Sequence, residues 1–176
     1  KQRILFKQGD DLRTDQLILN LFSLMDSLLK RVNLDLKMRM YSVLATSQCD
    51  GAMEFVDHSA PVQYILDTHG KSIRNYLRRH NPDPASPSGI APEALDTFIR
   101  SCAGSCVTTY ILGIGDRHLD NIMITTSGQL FHIDFGFVFG KDPKPLPSPF
   151  RLTREMAVAI GGENYQNSDN FNRFKA

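Results

Sequence analysis

Within residues 113–123, GIGDRHLDNIM, two aspartates, an arginine, a histidine and an asparagine lie among glycines and apolar residues, and a further aspartate opens Asp-Phe-Gly at 134–136. Burying so polar a cluster without use would be costly, so its residue types point to chemistry. Asn121 and Asp134 offer side-chain oxygens of the kind a hard cation such as Mg²⁺ takes. His118 is a proton acceptor suited to neutral pH, and Asp116 stands two residues before it. Oxygen ligands from two loops, beside a group that takes the proton of a hydroxyl, are what phosphoryl transfer to an alcohol requires.

Elements that position these groups follow from periodicity. NIMIT and QLFHIDF read as short strands around TSG, a hairpin that brings Asn121 and Asp134 to one centre. A long helix precedes the motif, with Leu95, Phe98, Ile99, Cys102, Ala103, Cys106, Val107, Tyr110 and Ile111 forming one apolar stripe. Nearer the start, RILFK reads as a strand. GDDLRTD then leads into a helix with Leu17, Leu21, Leu24, Leu28 and Val32 on its apolar face and Asp26, Lys30 and Arg31 on the other. MYSVLATS and AMEFVD read as a strand pair around a Cys-Asp-Gly turn, DTHGKSIRNYLRRH as one short helix with a basic end, and NPDPASPSG as a surface loop.

Composition limits the function classes. With 41% hydrophobic and 22% charged residues the 176-residue chain can bury a core, and a net charge of +1 gives no general field for nucleic acid or membrane. RNYLRRH lacks interleaved aromatics beyond Tyr76, so a solvated basic face is expected and no nucleic-acid partner. Three cysteines without a CxxC pair read as thiols of a reducing compartment packed as small hydrophobes. No apolar run reaches the roughly 18 residues of a membrane span.

In protein kinases a catalytic-loop Asp precedes a metal-binding Asn by five residues, and the Asp of DFG carries Mg²⁺. Asp116 and Asn121 keep that spacing and Asp134 opens a DFG, but the triplet is reversed, Asp116-Arg117-His118 in place of His-Arg-Asp. With GDRHLDN followed by HIDFG, the chain resembles the phosphatidylinositol 3-kinase and related-kinase superfamily. The loop after DFG, FVFGKDPKPLPSPFRLTREM, is similar to the activation loop of the class III phosphatidylinositol 3-kinases, and the likeness runs through FKQGDDLRTDQLILNLFSLMD, NLDLK, YSVLATS, DTFIRSCAGSC and AIGG. The resemblance implies an α+β, protein-kinase-like fold: a partial small lobe over residues 1–53, a hinge at 54–58, and a large lobe over 59–176, incomplete at its C-terminus. The earlier strands with their phosphate-covering loop, the terminal helices and the C2 and helical domains are then expected outside this sequence.

The resemblance also implies roles. Lys7 contacts ATP phosphates, with Asp15 as the acid near it; Tyr41 lines the inner adenine pocket; Glu54 and Val56 bind adenine through hinge backbone; Met123 and Ile133 form the floor beneath the ring. Within the triplet Asp116-Arg117-His118, His118 is the base toward the inositol 3-hydroxyl and Asp116 orients it, while Asn121 and Asp134 hold Mg²⁺ or Mn²⁺. Thr14 and Met40 depart from the related class III pattern without removing a reactive group. His132 has two readings, phosphate contact or anchoring of the loop by hydrogen bonding. Asp120 reads as a solvated neighbour of Asn121, and His58, His69 and His80 as surface residues.

Lys141, Lys144, Arg151 and Arg154 against Asp142 and Glu155 leave the activation loop at +2. At roughly 1 kcal/mol per basic residue near an anionic surface, that holds a membrane weakly. The resemblance implies phosphorylation of membrane phosphatidylinositol by ATP at the D-3 hydroxyl, and the weak loop charge fits a headgroup with no further phosphate. The resemblance further implies a pseudokinase-like regulatory subunit, a coiled-coil autophagy adaptor, and peripheral attachment to endosomal and autophagic membranes from the cytoplasm. The run PKPLPSP could instead be a polyproline ligand, though its place after DFG favours the activation loop. Competing functions are a phosphatidylinositol 4-kinase, a related protein Ser/Thr kinase, or a fragment that is inert alone and serves as a scaffold.

Overall fold

A computed structural model describes residues 3–148 and 150–176; Pro149 of the proline run lies outside them. The chain is α+β, with two three-stranded antiparallel sheets. β1 (Ile4–Gln8), β2 (Val43–Ala45) and β3 (Asp50–Glu54) form the first, in the order β1-β3-β2, and helix α1 (Arg13–Arg31) packs beside it. The expected strand pair is present, but its turn lies at 46–49, and Asp50 and Gly51 are already paired in β3. Residues 55–58 join this sheet to the second, formed by β4 (Ser59–Pro61), β5 (Ile122–Thr125) and β6 (Leu130–His132) in that order. The hinge expected at 54–58 thus runs from the last residue of β3 to the residue before β4.

The helical core contains α2 (Val62–Thr68), α3 (Ile73–His80), α4 (Pro92–Ile111), α5 (Arg154–Gly161) and α6 (Asp169–Lys175). DTHGKSIRNYLRRH, read as one helix, is split: α2 ends at Thr68, Gly70 and Lys71 adopt positive φ, and Ser72 starts α3 by accepting the Asn75 amide. A hydroxyl-bearing cap satisfies an otherwise orphan amide and so favours a fresh start over continuation. Phe98, Leu77, Ile65 and Ile122 lie fully buried in one cluster with Cys102 and Cys106. Both of these thiols are packed as expected, whereas Cys49 is exposed in the β2–β3 turn.

Two helical faces differ from expectation. In α1 the buried residues are Asp15, Ile18, Leu19 and Phe22, while Leu17, Leu24, Leu28 and Val32 are 48%, 55%, 49% and 71% exposed. The helix carries two apolar stripes about half a turn apart, and docking selects the one that also holds Asp15. In the last turns of α4, Val107, Tyr110 and Ile111 face outward and Ser105, Thr108 and Thr109 inward. The Thr108 and Thr109 hydroxyls donate to the carbonyls of Gly104 and Ser105, four residues back, so their burial leaves no donor unmet.

This difference predicts a contrast in stability. Phe98→Ala should cost about 3–5 kcal/mol, as for a fully enclosed aromatic. Leu24→Ser should stay within about 0.5 kcal/mol. Urea unfolding of both variants measures this; comparable losses would mean that the Leu17–Leu28 stripe is buried in solution.

Candidate active site

The β5–β6 hairpin separates the helical core from a second apolar cluster. Side chains alternate across a strand, so Ile122, Ile124 and Leu130 enter the helical core while Met123, Phe131 and Ile133 join Tyr41, Val56, Ile18, Phe22 and Phe135. The residues expected to surround adenine, Tyr41, Val56, Met123 and Ile133, therefore share one cluster. Tyr41 packs edge-on against Phe131 at 5.9 Å, and its buried hydroxyl has no partner among the described residues. Burial raises the Tyr41 pKa, with the charges of Asp15 and Asp134 adding. Glu54 fastens residues 39–42, accepting from Arg39 at 2.9 Å and from the Ser42 amide at 3.0 Å, and the Val56 carbonyl accepts the Ser59 hydroxyl at 2.7 Å.

Lys7 projects from β1 and pairs with Asp10 at 2.9 Å. Burial is the largest influence on its pKa and lowers it, but the Asp10 hydrogen bond and the charges of Asp10, Asp134 and Asp15 together raise it above the ordinary value. Lys7, Asp15 and Asp134 are thus within electrostatic reach of one another, although the paired acid is Asp10, which sequence reasoning missed. Asp15 instead accepts the Phe135 amide at 3.3 Å, tying α1 to the backbone of the DFG segment. Burial raises the Asp15 pKa, helped by Asp134, against the lowering effects of the Phe135 amide and Lys7.

The hairpin register sets the candidate metal ligands. Ile122 pairs with His132, and the Ile133 amide donates to the Asn121 carbonyl at 3.1 Å, so Asn121 lies one residue from the level of Asp134. The Asn121 side-chain amide donates to the Asp116 carbonyl at 3.0 Å, which leaves its oxygen as the ligand atom. Asp134 holds an exposed carboxylate on a backbone at φ +60°. One carboxylate and one amide oxygen suit Mg²⁺, which takes few protein ligands and completes its shell with water and phosphate oxygens.

His118 is exposed in the segment that follows α4. Its Nε2 lies 3.9 Å from Asp116 and its Nδ1 3.8 Å from Asp120, so Asp120, expected to be a bystander, flanks the imidazole. Arg117, grouped by sequence with the reacting residues, is 6% exposed. Its guanidinium donates to the carbonyls of Gly115 and Ile133 at 2.7 Å each and to that of Asp134. Burial lowers its pKa to about 10, still well above neutrality. Arg117 therefore joins the segment around Asp116 and His118 to the DFG segment.

His132 is 4% exposed, which removes phosphate contact from its two readings, and its buried Nδ1 has no hydrogen-bond partner among the described residues, so the anchoring reading is not met at that atom either. Burial, reinforced by the charge of Arg117, lowers its pKa to about 3. An unfolded chain protonates this histidine below about pH 6.5 and the folded chain does not, so stability should fall with pH by up to about 1.4 kcal/mol per unit down to about pH 3. His132→Gln should lose less stability between pH 7.5 and 5 than the unsubstituted protein, by urea midpoints; equal losses would place the acid sensitivity elsewhere. His58 and His80 are exposed as expected, whereas His69 is partly buried against Tyr76 at 5.2 Å.

In the loop after DFG, Lys141 and Lys144 are exposed, but Arg151, expected to meet the lipid, is not free. Its guanidinium pairs with Asp142 at 2.5 Å, and the two side chains are 12% and 4% exposed. Asp142 entered the sequence reading only as a counted charge. The available signal was the Asp-Pro dipeptide, which favours a turn.

Lys7 and Asp15 thus lie on one side of the candidate site, and Asp116, His118, Asn121 and Asp134 on the other. The phosphatidylinositol 3- and 4-kinase family model matches residues 1–176, and the chain belongs to that family. It is 51% identical over 174 residues to the root isoform of phosphatidylinositol 3-kinase of Glycine max, covering 99% of this chain and 21% of that protein. Against phosphatidylinositol 3-kinase VPS34 of Arabidopsis thaliana the figures are 51% over 174 residues, 99% and 21%. Against VPS34 of Saccharomyces cerevisiae they are 46% over 171 residues, 97% and 19%. The chain spans about a fifth of the length of these curated relatives.

Proposed function

We propose that this chain is the catalytic part of a class III phosphatidylinositol 3-kinase, transferring the γ-phosphate of ATP to the D-3 hydroxyl of membrane phosphatidylinositol. The observation that carries this reading is the grouping of His118 between two carboxylates, beside Asn121 and Asp134 on one hairpin. Relatives that carry the name phosphatidylinositol 3-kinase, at 44–51% identity, support the choice of lipid and position. Residues 3–53 form part of a small lobe, 54–58 a hinge and 59–176 much of a large lobe.

When bound, ATP with Mg²⁺ or Mn²⁺ supplies the phosphoryl group and offsets the charge on its oxygens. Lys7 holds phosphate oxygens, with Asp10 and Asp15 keeping it charged and placed. Tyr41, Val56, Met123 and Ile133 enclose the adenine, and Glu54 and Val56 offer backbone groups to its edge. Asn121 and Asp134 orient the metal. The His118 imidazole takes the proton of the inositol hydroxyl, and Asp116 stabilises the charged ring that results. Lys141 and Lys144 attract the anionic headgroup. No helix among the described residues is long and apolar enough to cross a membrane. The enzyme is peripheral, recruited by a pseudokinase-like subunit and a coiled-coil adaptor to endosomal and autophagic membranes.

The test uses the full-length parent with ATP, Mg²⁺ or Mn²⁺, and vesicles of phosphatidylinositol, its 4-phosphate or its 4,5-bisphosphate. A 3-phosphate made from phosphatidylinositol alone is the expected product. The matching family model also covers 4-kinases; a 4-phosphate would move the assignment there, and labelled protein without labelled lipid would favour a protein kinase.

A further inference from the structure

The Asp142–Arg151 pair does more than remove one arginine from the substrate side. Residues 137–140 are laced to 112–115 by backbone hydrogen bonds: Gly115 donates to Phe137 at 2.8 Å, Phe139 to Leu112 at 2.9 Å and Gly140 to Gly113 at 2.9 Å. The two segments approach so closely that a Cβ on Gly115 would stand 2.3 Å from the Lys141 carbonyl oxygen and 2.9 Å from Asp142 Oδ2. At the end of this ladder Asp142 Oδ2 accepts the backbone amide of Asp116 at 3.1 Å, and Oδ1 accepts the Lys144 amide at 2.8 Å. Arg151 is fixed in turn, because its carbonyl lies 3.5 Å from the Cys106 thiol of α4 and Thr153, two residues on, caps α5.

Asp116 needs such support. Its φ of +51° lies in the left-handed region, which a non-glycine residue keeps only where its surroundings impose it. From that backbone its carboxylate faces His118 at 3.9 Å. A second carboxylate, that of Asp142, sits against the Asp116 amide; Arg151 neutralises it, so the hydrogen bond is made without an uncompensated buried charge.

We propose that Asp142 and Arg151 are positioning residues: their ion pair couples the segment after DFG to the Asp116 backbone and so sets the Asp116–His118 geometry. Arg151 is then no headgroup contact, and a chain whose activation segment is displaced loses the alignment of its base. The proposal rests on the reading of Asp116 and His118 as the reacting pair.

Steady-state kinetics of the full-length parent on phosphatidylinositol vesicles, combined with hydrogen exchange, test it. Asp142→Ala and Arg151→Met should each lower kcat by roughly 10- to 100-fold, the scale of a sub-ångström to 1 Å misplacement, while KM for lipid changes less than about twofold. Because both act through one contact, the double variant should be no worse than the weaker single one. Arg151→Lys, which keeps the charge, should recover most of kcat. Amide exchange over 113–118 should rise in Asp142→Ala with α4 unchanged. If Asp142→Ala does not fold, Asp142→Asn replaces it: an acceptor for Asp116 remains and the charge holding Arg151 is lost, so kcat should fall part of the way.

Three outcomes overturn the proposal: a raised lipid KM with intact kcat in Arg151→Met, which would make Arg151 a headgroup ligand; additive losses in the double variant; or unchanged protection of residues 113–118. Should the unsubstituted parent make no 3-phosphorylated lipid, the functional reading fails instead, and the exchange data still decide whether the clamp exists.

Discussion

Asp134→Asn in the active parent enzyme should all but abolish turnover, by roughly 10³-fold or more, because a metal ion stabilises the transferring phosphoryl group by several kcal/mol and each 1.36 kcal/mol is tenfold in rate. The substitution is a clean one. An asparagine keeps an oxygen for the Gly136 amide, which Asp134 Oδ1 accepts at 3.3 Å, and the main-chain carbonyl that Arg117 holds is untouched. What it removes is the only carboxylate assigned to the metal, since Asn121 contributes a neutral oxygen. Lys7, whose raised pKa owes part to Asp134, should move back toward its ordinary value. Titrating turnover against Mg²⁺ reads the effect: a loss partly recovered at high Mg²⁺ marks a weakened ligand, and an unchanged Mg²⁺ dependence would argue against Asp134 in that role.

His118→Ala should lower kcat by about 10² to 10⁴, the usual share of general-base catalysis. Nucleotide affinity should change little, because the imidazole is exposed at 48% and is no member of the apolar cluster around Tyr41 and Val56. The flanking carboxylates sharpen the expectation. Asp116 at 3.9 Å and Asp120 at 3.8 Å flank the ring, one beside each nitrogen. Replacing the ring should therefore reduce turnover far more than replacing Asp120 alone. Nucleotide binding by fluorescence and turnover on phosphatidylinositol vesicles separate the two effects; equal activity in His118→Ala would remove the histidine from the mechanism.

Much of this site is legible because its spacing is local. Asn121 and Asp134 are joined by a hairpin of two short strands, so their proximity follows from period-two alternation and a tight turn, and β5 and β6 form where expected. The same alternation places Met123 and Ile133 on the face opposite Ile122 and Ile124. Long helix α4 and strand β1 were equally readable. Where a decision depends on what lies across from a residue, sequence reasoning fails. α1 offers Leu17, Leu21, Leu24 and Leu28 as a fine apolar seam, yet Ile18, Leu19 and Phe22 are the ones inside. What tells the two stripes apart is Asp15, which lies on the buried one and accepts the Phe135 amide.

Charged residues show the same division. The types and order of Asp116, His118, Asn121 and Asp134 point to the proposed chemistry, because hydroxyl phosphorylation needs a base and hard oxygen ligands whatever surrounds them. Whether a cation is available to a ligand is another matter. Arg117, Lys144 and Arg151 are indistinguishable as positive charges in a row of letters, but the fold turns Arg117 onto three backbone carbonyls, pairs Arg151 with Asp142, and leaves Lys144 in solvent. A side chain's charge belongs to its residue type, while its freedom depends on partners that the folded chain brings together, here from 2 to 17 residues away. The sequence by itself thus pointed to the proposed reaction class, and only the tertiary structure decided which charges stand in solvent and which are held by partners.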